Sequence, residues 1–115
     1  MQITIYGIRN CSTMKKAFTW LQEQQVDYHF HDYQKAGVPL EALQRWVAAL
    51  GWEALINRKG TTWRRLSEDQ RQLQGDADAL ALMQAYPSVI RRPILDRDGQ
   101  ILVGFSPEDW AARMG

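Results

Sequence analysis

Internal disulfides are excluded at once, because Cys11 is the only cysteine in the chain. A small domain with no such staple suits a reducing compartment better than secretion. Long apolar runs are missing too, and no stretch approaches the ~20 residues that a membrane helix needs. Met1 to Ile8 spans one strand and lacks the basic start and apolar core of an export signal, so the cytoplasm is the expected location. Neither sign of charge dominates: Lys and Arg number 14 against 13 Asp and Glu, a net charge of +1. Bulk charge therefore gives no pull toward nucleic acid or an anionic membrane. Histidine is scarce. The two present, His29 and His31, alternate on one strand face, and two histidines are weak evidence for metal, so no metal site is expected. There is no repeat, low-complexity tract or linker, which leaves 115 residues to be read as a single domain and a monomer. The five tryptophans are spaced for helical packing and show no pattern for stacking nucleobases.

What is present reads as mixed α/β. Gln2–Tyr6 alternates isoleucine with polar residues and predicts a strand. Ser12–Gln25 places Met14, Ala17, Phe18 and Leu21 at helical spacing, with Ser12 and Thr13 as N-cap candidates. Val26–Asp32 alternates again. Strand, helix and strand within about 32 residues form a βαβ unit, whose strands run parallel. Gly37–Gly51 predicts a helix with Pro39 at its first position, Gly51 just past its end, and Leu40, Leu43, Trp46, Val47 and Leu50 on its apolar face. Trp52–Arg65 is irregular, broken at 57–60. Ser67–Gln74 reads as a short polar helix. Asp76–Tyr86 reads as a better one, capped by Asp76 or Asp78, packed through Leu80, Leu82, Met83 and Tyr86, and stopped by Pro87. Two short apolar runs about Asp98-Gly99 predict an antiparallel hairpin. Ser106-Pro107-Glu108-Asp109 opens a last helix. The helical stretch from about Pro39 to Pro87 is read as an insertion within the one domain.

Cys11 falls between the first strand and the first helix. Free amides and the helix dipole at such a position favour a negative sulfur and can lower a thiol pKa well below roughly 8.5. Lys15, Lys16 and Arg9 are basic neighbours, and the polar residues Asn10, Ser12 and Thr13 argue against the other common use of a lone cysteine, as a small buried filler. The position three residues on is Met14, so no CxxC dithiol exists, and any redox cycle must borrow a thiol from outside; glutathione or a glutaredoxin is the natural donor. Arg91-Arg92-Pro93, just before the hairpin, holds two guanidiniums suited to bidentate contact with an oxyanion. Solvated surface charge is the competing reading. Arg58-Lys59-Gly60 lies in a loop and is uninformative by itself.

Four segments together resemble the ArsC/Spx family and, within it, the small YffB-type proteins: YGIRNCSTMKKA at 6–17, LINRKG at 55–60, IRRPIL at 90–95 and VGFSPEDW at 103–110. The resemblance covers essentially the whole chain. It implies a thioredoxin-like fold of β-α-β, helical insert and β-β-α with a mixed four-stranded sheet. It also implies a catalytic Cys11 and a cis peptide before Pro93. Arsenate reductases of this family bind the oxyanion with three arginines; Arg58 and Arg92 stand where two would be, but Phe105 stands at the third. An aromatic ring cannot supply those charge-assisted hydrogen bonds, and Arg91 substitutes only if it turns inward. Ile8, Arg9 and Asn10 also replace the histidine, asparagine and proline that such reductases carry. Spx regulators, which bind the RNA polymerase α subunit, mostly carry a CxxC switch that Met14 removes.

The expected function is thus a glutathione-dependent thiol reductase. Cys11 is its nucleophile, and Asn10, Ser12, Arg58, Arg91, Arg92 and Pro93 are its substrate or glutathione contacts. Glutathione serves as co-substrate and no bound cofactor is expected. Arsenate reduction coupled to glutathione and glutaredoxin, and a non-enzymatic regulator that binds RNA polymerase, are the alternatives. Which of Arg91 and Arg92 faces the cysteine stays open.

Overall fold

The computed structural model describes residues 2–114, which form two compact units, one made of 2–36 and 92–114, the other of 37–91. The first unit carries the whole sheet. Strand β1 (Ile3–Gly7) pairs in parallel with β2 (His29–Asp32) and antiparallel with β3 (Ile94–Arg97), and β3 pairs antiparallel with β4 (Gln100–Val103), giving the order β2-β1-β3-β4. This is the mixed four-stranded sheet of a thioredoxin-like fold. Asp98 and Gly99 both take positive φ, as the tight hairpin turn requires, and the Asp96 carboxylate accepts the Gly99 amide at 3.1 Å.

Helix α1 (Ser12–Glu23) crosses from β1 to β2 and buries Met14, Ala17 and Leu21 against Ile3, Ile5, Leu95 and Leu102 of the sheet. It ends before Gln25, which takes a left-handed φ of 57°. Residues 26–28 complete that turn, with the Val26 amide on the Leu21 carbonyl, so the second strand is shorter than the alternation of Val26–Asp32 suggests. β1 pairs with 29–32 only. The single turn α2 (Tyr33–Ala36) follows, started by the Asp32 carboxylate accepting the Gln34 amide at 2.9 Å. The last helix, α8 (Pro107–Met114), begins as its sequence demands, with the Ser106 hydroxyl accepting the Asp109 amide. Trp110 is fully buried, edge-on to Trp20 and Phe105 at 5.7 and 4.8 Å, and its indole N–H donates to the Gly104 carbonyl at 3.1 Å. At the end of β1, a Cβ on Gly7 would lie 2.6 Å from the sulfur of Met14. Glycine there lets the methionine close over the strand.

The second unit is helical: α3 (Leu40–Leu50), α4 (Trp52–Leu55), α5 (Thr61–Arg65), α6 (Glu68–Arg71), α7 (Asp76–Ala85) and a 3₁₀ turn at Pro87–Val89. α3, α4 and α7 pack on one another. Gly37 is left-handed and Pro39 extended, so α3 starts at Leu40 with Pro39 as N-cap, and Leu40 and Leu50 are 46% and 41% exposed rather than packed. Ser67 caps α6 in a reciprocal box with Gln70. Neither Asp76 nor Asp78 caps α7; Gly75 holds that position, and Asp78 accepts the Gln74 amide instead. Tyr86 is also exposed, its hydroxyl accepting from Gln70 Nε2 at 3.0 Å.

Candidate functional site

β1 and β2 end together, since Gly7 pairs with Asp32, and Tyr6 pairs with Ile94 near the start of β3. One edge of the sheet therefore carries the loop to Cys11, the residue after β2, and the Arg92-Pro93 junction. Ends of parallel strands that feed helices are where open α/β sheets place ligand contacts.

Cys11 is itself the N-cap of α1, in extended backbone, and its carbonyl accepts the Lys15 amide at 3.0 Å. The cap therefore sits one residue before Ser12 and two before Thr13, and the thiol is at the helix start. Partial burial pushes the thiol pKa up. The Met14 amide, the Arg92 side chain and the Thr13 amide all favour the thiolate and outweigh that penalty, so the net shift is downward. Of the two adjacent arginines, then, Arg92 is the one at the sulfur. Arg91 is exposed, and its amide donates to the Leu55 carbonyl at 2.7 Å.

Asn10 and Ser12 flank the cysteine and are both exposed. Pro93 is buried, its peptide with Arg92 is cis, and its carbonyl accepts the Gly104 amide at 2.8 Å. Arg58 belongs to the second unit, where its guanidinium lies 5.6 Å from the Trp52 ring centre. The other cations expected to act on the thiol do not. Lys15 and Lys16 are exposed, Arg9 lies over the Phe30 ring at 5.3 Å, and none of them is among the groups that move the thiol. Among the described residues no His, Cys, Asp and Glu cluster could hold a metal ion, and no helix is long and apolar enough to cross a membrane.

Phe105 is half-buried and packed against the core. It packs edge-on to Trp20 at 6.4 Å and to Trp110 at 4.8 Å. Each aromatic pair of this kind adds about 0.5–1.5 kcal/mol beyond simple burial. Phe105→Arg is thus expected to lower the unfolding free energy by about 1–3 kcal/mol in urea titrations. An unchanged denaturation midpoint would show that the ring is dispensable.

Sequence reasoning missed Tyr33. It is 3% exposed, and its ring stacks with Tyr6 at 6.4 Å and meets His31 at 6.1 Å. The only signal available was its place directly after the second strand of a βαβ unit, next to the loop that carries the cysteine.

Fold and site together define a thioredoxin-like protein whose lone cysteine stands at a helix start with its pKa lowered. The sequence model of the ArsC family matches residues 6–113, and the chain belongs to that family. Its structure is similar to that of a YffB protein, at TM-score 0.94 and 48% identity over 99% of this chain and all of the other. It is also similar to an arsenate reductase (ArsC) related protein from Brucella melitensis, at TM-score 0.78 and 50% identity over 99% and 95% of the two chains. The global transcriptional regulator Spx of Enterococcus faecalis is 27% identical over 93% of this chain and 82% of its own length.

Proposed function

We propose that this chain is a thiol reductase that uses Cys11 as a single nucleophile and glutathione as the outside thiol. The observation that carries this reading is the sulfur at the start of α1 with Arg92 beside it and its pKa lowered. The thiolate attacks the glutathione sulfur of a mixed disulfide R–S–S–G; the S–S bond breaks, R–S⁻ leaves and takes a proton, and Cys11 carries the glutathionyl group. A glutathione thiolate then attacks that group, releasing oxidised glutathione and restoring the Cys11 thiolate. The net change is R–S–S–G plus one glutathione to R–SH plus oxidised glutathione. Arg92 orients an anionic group of the substrate, and the backbone at Arg92-Pro93 pairs with the peptide part of glutathione.

Alkylation of Cys11 by iodoacetamide as a function of pH is the direct test. Only the thiolate reacts, so a lowered pKa moves the midpoint of the rate curve to lower pH. The expected profile has its midpoint below the roughly 8.5 of a free thiol. A midpoint at or above that value would remove the activated nucleophile and with it this mechanism. Arsenate-dependent NADPH oxidation through glutathione and glutaredoxin tests the arsenate reading. Phe105 weighs against that reading, because it fills the place of the third arginine and is committed to packing. The Spx relative supports a different possibility, a regulator that docks on the RNA polymerase α subunit. That docking needs no thiol, and retained α-subunit binding by Cys11→Ala would favour it.

A further inference from the structure

The Tyr33 hydroxyl is buried with no hydrogen-bond partner among the described residues. Buried hydroxyls are nearly always satisfied, and leaving one unmade is costly. The Asp32 carboxylate, one residue back, turns its Oδ1 to the Gln34 amide at 2.9 Å, and the Tyr6 and His31 rings pack on the Tyr33 ring at 6.4 and 6.1 Å. The groups that do act electrostatically on the hydroxyl are Tyr6 and Arg92, and Arg92 is the residue that reaches Cys11. The strand register puts the Tyr33 backbone at the same end of the sheet, because Asp32, the residue before it, pairs with Gly7, where the Cys11 loop begins. Burial, then the Tyr6 hydroxyl, push the Tyr33 pKa above its usual range, against a smaller opposing pull from Arg92. Tyr33 is therefore a neutral O–H at any working pH, able to donate but not to repel an anion.

We propose that the Tyr33 hydroxyl and the Arg92 guanidinium together receive a carboxylate of the incoming thiol or disulfide, beside the Cys11 sulfur. This rests on the reductase reading above and deepens it by assigning a substrate class: small carboxylate-bearing sulfur compounds, of which glutathione is one. One cation and one neutral donor match the two oxygens of a carboxylate, and the buried position of the donor makes its unmet bond worth supplying.

The test compares two alkylating agents that differ in one group. Iodoacetate carries a carboxylate next to its reacting carbon, and iodoacetamide replaces that group with a neutral amide. On the full chain, Tyr33→Phe is expected to lower the iodoacetate rate about five- to tenfold while leaving the iodoacetamide rate within about twofold. Its melting temperature should equal or exceed that of the native chain, because the deleted hydroxyl makes no bond in the fold. An unchanged ratio of the two rates overturns the proposal, as does an equal fall in both, which would mean that Tyr33 acts on the thiol or the fold. A parallel assay with a glutathionylated peptide should show KM raised with kcat little changed. If native protein does not turn that peptide over and yet the alkylation ratio falls in Tyr33→Phe, the carboxylate site stands and the reductase reading fails instead.

Discussion

Cys11→Ser is expected to bring glutathione-coupled reduction of a glutathionylated peptide down to the uncatalysed background, a loss of at least about a thousandfold. The reason lies in what the site can and cannot ionise. Two amides and one guanidinium shift a thiol whose ordinary pKa is already close to neutral. The same groups leave a serine hydroxyl un-ionised, and no second cysteine exists to take over. The variant should fold normally. Cys11 occupies the N-cap of α1 without a side-chain cap bond, and serine is among the best residues for that position. Circular dichroism and urea titration would establish that. Turnover above background in a folded Cys11→Ser variant would show that the chemistry runs elsewhere.

The second large effect concerns stability. Trp110→Ala is expected to cost about 3–5 kcal/mol, a large share of the 5–15 kcal/mol that holds a typical domain together. The indole is completely buried, touches Trp20 and Phe105 edge-on, and donates to the Gly104 carbonyl. Its removal leaves a cavity and an unpaired carbonyl at the turn from β4 into α8. The melting temperature should fall by about 15 °C or more, as read by thermal circular dichroism. A fall of only a few degrees would mean that α8 is peripheral to the core of the first unit.

Much of this was legible in the chain because local and global signals agreed. The alternation of Ile3 and Ile5 gave β1, Asp98-Gly99 gave the hairpin, and Ser67 and Ser106 marked helix starts that the structure retains. The order of strands and helices, and so the sheet, followed. Misreadings arose where periodicity outran the partner available to it. Val26–Tyr28 alternate like a strand but join no ladder, since the pairing of β1 with β2 starts at Thr4 and His29, and Leu40, Leu50 and Tyr86 fit an apolar stripe but sit at element ends where each is partly exposed. The site was half legible. A cysteine before a helix carries its own chemistry, whereas the choice of Arg92 over Arg91 depends on how the chain turns into β3. Tyr33 had only its place after the second strand to mark it, because its burial beside Tyr6 and His31 depends on the packing around β1 and β2.

Met14 and Gly7 carry a consequence for how freely this site could change its redox style. Met14 stands where a CxxC protein keeps its second sulfur, yet here the position is fully buried and its side chain fills the space above Gly7. A cysteine at 14 would leave two fewer heavy atoms in that space, at roughly 0.8 kcal/mol for each methylene-sized group withdrawn from the core, and a void besides. A side chain added at Gly7 to fill the void would collide with methionine, so neither residue can change comfortably before the other. The one-thiol state is thus locked in by packing, and any route to a self-resolving dithiol has to cross a less stable intermediate.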